Sequence, residues 1–126
     1  MRLLLDTHVF VWTTTRPAAL SPAVMAVLMD PENEILVSAV SAYEIEYKRE
    51  RDPLLRIMPS ELDEAVRAQG MAWLPVTERH AASAARLAPH HRDPWDRILV
   101  AQAMLEDLYL STIDQKLSAY GVPTVW

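Results

Sequence analysis

Asp6, Glu44, Asp96 and Asp114 lie far apart in this chain of 126 residues, yet each either follows a short apolar, strand-like run or sits near the start of a helix-like one. In an α/β arrangement that placement gathers all four at one edge of a sheet. Carboxylates brought together without matching bases repel one another and hold each other's protons more tightly, so such a cluster is best tolerated around a divalent cation. The chemistry this points to is hydrolysis assisted by Mg2+ or Mn2+, in which one or two ions activate water and stabilise a leaving oxygen.

Composition narrows the alternatives. With 51% hydrophobic and 23% charged residues, the chain reads as one globular domain spanning residues 1–126, of a size that buries roughly two-thirds of its unfolded surface. No apolar stretch approaches the ~20 residues of a membrane span. The opening Met-Arg-Leu-Leu-Leu run breaks at Asp6, well short of a secretory signal, so a cytoplasmic protein is expected. Cysteine is absent, which removes thiolate nucleophiles and cysteine-ligated zinc. A net charge of -5 argues against holding nucleic acid by bulk attraction. A phosphate substrate would need local help, for which Lys48, Arg49 and Arg51, with Arg92 and Arg97, are the candidates, although charge runs are more often solvated helix faces.

The elements that must position the acids follow from period and punctuation. Arg2 to Leu5 reads as a first strand, with Thr7 and His8 turning the chain. Ser21-Pro22 opens a helix that Asp30-Pro31 stops. Glu34 to Ser38 is a β-branched and aliphatic run of the kind buried on both faces. Ser41 and Glu44 have capping-box spacing and would open a helix that fades near Arg51. Another helix begins at Ser60 and stops at Gly70, and Met71 to Val76, interrupted by Pro75, reads as an edge strand. Thr77 caps an alanine-rich helix. Asp93-Pro94 opens the last long helix, whose Ile98 to Leu105 is apolar nearly all round and is expected to be well buried. Leu108 to Ser111 is a fourth strand, Thr112 to Tyr120 a short helical turn, and Thr124 to Trp126 a small terminal strand.

Strands alternating with helices, joined by connections too long for hairpins, predict a three-layer α/β/α sandwich around a central parallel sheet. In such sheets ligands bind beyond the carboxyl ends of the strands. Asp6 and Asp114 follow strands there, Glu44 falls in the first turn of the helix after strand two, and Asp96 opens a helix that runs back toward strand four. Each acid also has a plainer reading. Glu44 could serve only as the partner of Ser41 in a capping box, Asp93 or Asp96 could satisfy helix amides, and Asp114 could stabilise a turn. Asp6, directly after Leu3-Leu4-Leu5, is hardest to dismiss, since its burial is costly without compensation.

Other chemistries find less support. His90-His91 lack metal-ligand spacing and no HExxH is present. His8 and His80 read as packing or supporting groups. Only two glycines exist, and there is no Gly-x-Ser-x-Gly elbow, phosphate loop or dinucleotide fingerprint. A phosphatase with Asp6 as nucleophile would want a second aspartate at position 8, which is His.

Four segments taken in order resemble the successive motifs of PIN-domain proteins, in particular the VapC-type toxins of bacterial toxin-antitoxin pairs. They are Leu3-Leu4-Leu5-Asp6-Thr7-His8, Val37 to Ile45, His91 to Arg97 with its Asp93-Pro94-Trp95-Asp96, and Leu110-Ser111-Thr112-Ile113-Asp114. The resemblance covers nearly the whole chain. It implies a compact parallel α/β/α sandwich and an endoribonuclease in which Asp6, Glu44, Asp96 and Asp114 bind Mg2+ or Mn2+, with Thr7, Ser41, Asp93 and Thr112 supporting them. It also implies an RNA substrate, a homodimer and a cognate antitoxin protein; Arg92, Arg97 and Lys48 are the expected RNA contacts by their charge. The Ser21 to Met29 helix and the Pro53 to Met58 stretch are the expected contact regions. The chain departs from the family pattern after Ile45, where similar proteins often carry a Gly-Lys-Leu turn and this one has Arg-Glu-Arg-Asp-Pro. Tyr43 and Trp95, beside two of the acids, would shape the cleft or stack a base, though helix aromatics are more often core. The competing reading is a non-catalytic RNA- or protein-binding module of the same fold, with the acids acting as caps.

Overall fold

A computed structural model describes residues 1–126. Five short strands, β1 (Arg2–Leu5), β2 (Glu34–Ser38), β3 (Ala72–Leu74), β4 (Tyr109–Ser111) and β5 (Thr124–Val125), form one sheet in the order β3-β2-β1-β4-β5. Every neighbouring pair is parallel. β1 occupies the centre and β3, with Pro75 at its end, lies at an edge. Seven α-helices connect the strands: α1 (Thr7–Thr15), α2 (Pro22–Met29), α3 (Ala39–Lys48), α4 (Pro53–Arg56), α5 (Leu62–Ala68), α6 (Glu78–Arg86) and α7 (Pro94–Leu105). Two 3-10 turns, Pro17–Ala19 and Gln115–Tyr120, complete the chain. No helix is long and apolar enough to cross a membrane.

The period-2 alternation of the strands divides the core in two. Leu3, Leu5, Ile35 and Val37 pack on one face with Val9, Phe10 and Ile45. Leu4, Leu36 and Leu110 pack on the other with Leu99, Val100 and Leu117. With both faces covered by helices, the three-layer α/β/α sandwich expected from the sequence is what forms. The strand order runs one way from β1 through β2 to β3 and the other way through β4 to β5, so a crevice opens between the carboxyl ends of β1 and β4.

Several local expectations hold. Ser21 caps α2, Thr77 caps α6 and Asp93 caps α7, each accepting hydrogen bonds from the first-turn amides. Three require correction. Thr7 and His8 are not a turn but the first turn of α1, whose cap is Asp6. The cap of α3 is Ser38, not Ser41: β2 runs directly into the helix, and the Ser38 hydroxyl accepts from the Val40 amide at 3.1 Å. Glu44 is therefore the sixth residue of α3 rather than a first-turn residue, and its plainer reading as half of a capping box is removed. Finally, α7 is buried only through Leu99 to Ala103. Its last turn opens to solvent, with Met104 52% exposed.

A candidate carboxylate site at the sheet edge

Asp6 leaves the end of β1, where its own amide donates to the Ser111 carbonyl of β4 at 2.9 Å. That bond places its side chain at the strand crevice. The side chain is only 4% exposed as a residue, and both oxygens are held: Oδ1 accepts from the His8 amide at 2.9 Å and Oδ2 from the Thr112 hydroxyl at 2.7 Å. The Thr112 hydroxyl oxygen in turn accepts from the Asp114 amide at 3.0 Å, tying the two ends of the crevice together. Thr7 and Ser41, both buried, share a 2.8 Å hydroxyl contact that fixes α1 against α3.

Glu44 is 5% exposed. Lys48, one helical turn on, donates to its Oε2 at 2.6 Å, while Oε1 is buried with no hydrogen-bond partner. A buried carboxylate oxygen left unpaired is costly, which marks it as aimed at something the protein itself does not supply. Burial acts against the charged form of Lys48, but its hydrogen bond to Glu44 and the charges of Glu44, Asp93 and Asp96 outweigh that and raise its pKa. A cavity of about 90 Å³ opens beside Glu44, lined by Thr7, His8, Trp12, Lys48 and Leu54 among others. Of the four acids, Glu44 alone lines it.

Asp93 takes the capping role at α7, accepting from the Trp95 amide at 2.9 Å and the Asp96 amide at 3.4 Å. Asp96 is thereby free of it. Its carboxyl is pushed up to about 7, first by burial and then by the negative charges of Asp6, Asp93 and Glu44, against a smaller opposing effect of His91. His8, across the site, has its pKa raised, chiefly by its hydrogen bond to Asp6 and despite partial burial, with the charges of Glu44 and Asp96 adding to the effect.

Asp114 differs from the other three. It caps the second 3-10 turn by accepting from the Lys116 amide at 2.9 Å, and its Oδ2 lies 2.9 Å from His91 Nε2. Burial acts to raise its pKa, but the Lys116 amide and the His91 hydrogen bond prevail and hold it low. The turn-stabilising role foreseen for it is real.

His91, set aside in the sequence for lack of metal-ligand spacing, is brought by the fold into a group with Asp96 and Asp114 that could hold an ion. Its Nε2 lies 3.3 Å from Asp96 and 2.9 Å from Asp114, and one ligand atom from each of the three residues falls within a group no wider than 4.8 Å. Its Nδ1 accepts from the Asp93 amide at 3.0 Å. With Nδ1 so occupied, the ring proton sits on Nε2 and is donated to Asp114, with Asp96 close by. His91 thus acts as a donor that latches Asp114 beside Asp96, and its sequence gives no local signal of this beyond lying two residues before the cap Asp93. Asp6 and Glu44 stand outside that tight group but close enough for their charges to act on Asp96.

Of the basic residues expected to face RNA, Lys48 lies at the site and Arg92 is exposed. Arg97 is spent elsewhere: its guanidinium donates to the carbonyls of Ala84, Leu87, Ala88 and His91, locking the α6–α7 connection. Arg97→Ala is expected to lower stability by about 2–4 kcal/mol, measured by denaturant unfolding, because several carbonyls lose charged donors together. Arg97→Lys should recover little of it, since one ammonium cannot reproduce a planar fork of donors.

A parallel five-stranded sandwich with a carboxylate-lined crevice at its strand switch point defines a class of small α/β proteins. Within that class, the PIN-domain family model matches residues 3–123, and the chain belongs to that family. It is 31% identical over 133 aligned positions to Ribonuclease VapC22 of Mycobacterium tuberculosis (strain ATCC 25618 / H37Rv), covering 98% of both chains. Among solved structures, its fold is similar to that of VapBC2 from Rickettsia felis, crystallised bound to a promoter DNA fragment, with a TM-score of 0.72 at 14% identity over 99% of this chain and 98% of that one. It is also similar to VapBC-5 of Mycobacterium tuberculosis, a member of the VapBC family of toxin-antitoxin systems, with a TM-score of 0.60 at 19% identity over 98% and 97% of the two chains.

Proposed function

We propose that this protein is a metal-dependent endoribonuclease, the toxin member of a toxin-antitoxin pair, and that Asp6, Glu44, Asp96 and Asp114 form its Mg2+ or Mn2+ site. The observation that carries the reading is the unpaired, buried Glu44 Oε1 in a carboxylate-rich crevice, where Asp96 is crowded by the charges of Asp6 and Glu44. Hard oxygen donors of this kind suit Mg2+ or Mn2+ rather than softer metals. The named ribonuclease at 31% identity supports the activity, and the solved toxin-antitoxin structures of the same fold support an antitoxin partner.

In this reading Asp6, Glu44 and Asp96 are the direct ligands, and Asp114 completes the set from the partly exposed side. A divalent ion held there neutralises charge on the scissile phosphate and makes attacking water more acidic. The residues around the acids set their geometry. The His8 amide and the Thr112 hydroxyl fix both oxygens of Asp6, the Thr7–Ser41 contact keeps α3 and hence Glu44 opposite it, and Asp93 relieves Asp96 of capping. Lys48 and the exposed Arg92 supply positive charge for the RNA backbone where the protein as a whole repels it.

Two measurements test the proposal. Purified protein should cleave a labelled single-stranded RNA in Mg2+ or Mn2+ and not in EDTA. The same ions should also raise the thermal midpoint, by roughly 10 °C at a hundredfold excess over Kd, since that excess contributes about 2.7 kcal/mol. Failure of both ions to stabilise the protein, with RNA left intact, would leave the non-catalytic module as the better account.

A further inference from the structure

Next to the carboxylates, α3 and the start of α7 build a surface the nuclease chemistry does not use. Tyr43 and Tyr47 lie one helical turn apart on α3 and are 61% and 59% exposed. Their rings stack nearly parallel, with centroids 6.0 Å apart and an interplanar angle of 10°. Trp95, beside Asp96, leans against both at 6.1 and 5.9 Å and is partly buried against the core cluster that includes Leu4 and Leu36. Cations flank the rings: the Lys48 ammonium lies 4.9 Å from the Trp95 centroid and the Arg51 guanidinium 5.1 Å from that of Tyr47.

Two adjacent tyrosines exposed to this extent contribute little to the core, so their packing role is small. Arg49, on the same helix end, donates to Glu46 and to the carbonyls of Leu55, Met58 and Pro59, which leaves Arg51 as the outward-facing cation while Lys48 bridges Glu44 and the Trp95 ring. We propose that Tyr43, Tyr47 and Trp95, flanked by Lys48 and Arg51, form a stacking platform that takes unpaired nucleobases of a single-stranded RNA beside the carboxylate site. This rests on the nuclease reading and specifies its substrate class.

The charge pattern selects this occupant. A protein of net charge -5 presents here exposed aromatic rings with two cations lying over them, which matches bases carried on a phosphate backbone better than a purely apolar partner. Lys48 joins the rings to the acids, its ammonium 2.6 Å from Glu44 Oε2 and 4.9 Å from the Trp95 centroid, so a base seated on the rings lies beside the carboxylate site. Paired bases, whose faces are already stacked, cannot use the platform, which therefore discriminates against duplexes.

The test separates binding from cleavage. A short, unstructured RNA carrying 2-aminopurine is titrated into the full-length protein in EDTA, and affinity and fluorescence quenching are read together. Wild type should quench the probe. Tyr43→Ala/Tyr47→Ala should lose the quench and bind roughly 10- to 100-fold more weakly, whereas Tyr43→Phe/Tyr47→Phe should keep both, with unchanged melting in all three. An RNA abasic at the probed position should bind wild type as weakly as the intact RNA binds the alanine variant. Equal binding and no quench difference between wild type and the alanine variant would overturn the platform. So would a change from dimer to monomer in the alanine variant with RNA binding intact, since the surface would then be a subunit interface. Tyrosine-dependent quenching by a protein that never cleaves RNA in Mg2+ would uphold the platform while removing the nuclease reading.

Discussion

Asp6→Asn is expected to abolish cleavage of RNA in Mg2+ while leaving the fold intact. Asparagine is as good a helix cap as aspartate, so the bond from the His8 amide that opens α1 survives. On the other side, the Thr112 hydroxyl can turn to accept from the new amide instead of donating to a carboxylate. What is lost is one negative charge where four acids approach one another. If a bound ion contributes several kcal/mol to the transition state, and each 1.36 kcal/mol is tenfold in rate, the loss is on the order of a thousandfold or more. Removing that charge also relieves Asp96, so the ion-free variant should melt at or slightly above the wild-type temperature and no longer respond to Mg2+. A correctly folded variant that cleaves within a few-fold of wild type would refute the proposed site.

The second large effect is on stability. In the ion-free protein, the Asp96 carboxyl is raised from the ordinary 3.8 to about 7. Between those values the folded chain keeps a proton that the unfolded chain has released, so stability falls as pH rises from about 4 and levels off above 7. The limiting linkage is about 4 kcal/mol. Solvent reaching a partly exposed carboxyl reduces this to about 1–2 kcal/mol, or several degrees in melting temperature. Asp114 works in the opposite sense. Its pKa is held low, so its contribution is present above the ordinary carboxylate range and fades only in stronger acid. The ion-free protein should therefore be most stable on the mildly acidic side of neutrality. Asp96→Asn should raise the melting temperature at pH 8 and leave it nearly unchanged at pH 4. Saturating Mg2+ should flatten the wild-type decline, because the ion takes the place of the proton. A wild-type melting temperature that climbs steadily from pH 5 to pH 8 without metal would contradict this account of the site.

These two effects arise in one place, the crevice between β1 and β4, where burial and concentrated negative charge act together. The protein partly compensates that charge from within, through Lys48 on Glu44 and His91 on Asp96 and Asp114. The compensation is incomplete, since Glu44 Oε1 is unpaired and the Asp96 carboxyl remains raised to about 7.

The sequence by itself determined those parts whose signals are local. β1, β2, α2, α6 and α7 were readable because apolar period and capping chemistry act within a few residues, and Ser21, Thr77 and Asp93 cap as their neighbours require. The alternation of strand and helix was enough to predict a parallel sandwich and to bring four distant acids to one edge. Tertiary structure decided the rest. The β-branched Thr7–Thr15 segment reads poorly as a helix, yet it forms one because Asp6 caps it and Val9 and Phe10 find a core to fill. Ser41 looked like a cap and is instead a buried partner of Thr7, while Arg97 looked like an RNA contact and is a brace for backbone carbonyls. His91 and the aromatic strip on α3 and α7 acquire their partners from residues distant in the chain, and the shift of Asp96 is a sum of burial and charges contributed by separate elements. Burial and long-range charge depend on what packs against a side chain, so spacing in the sequence located the acids and only their packing set how strongly each holds its proton.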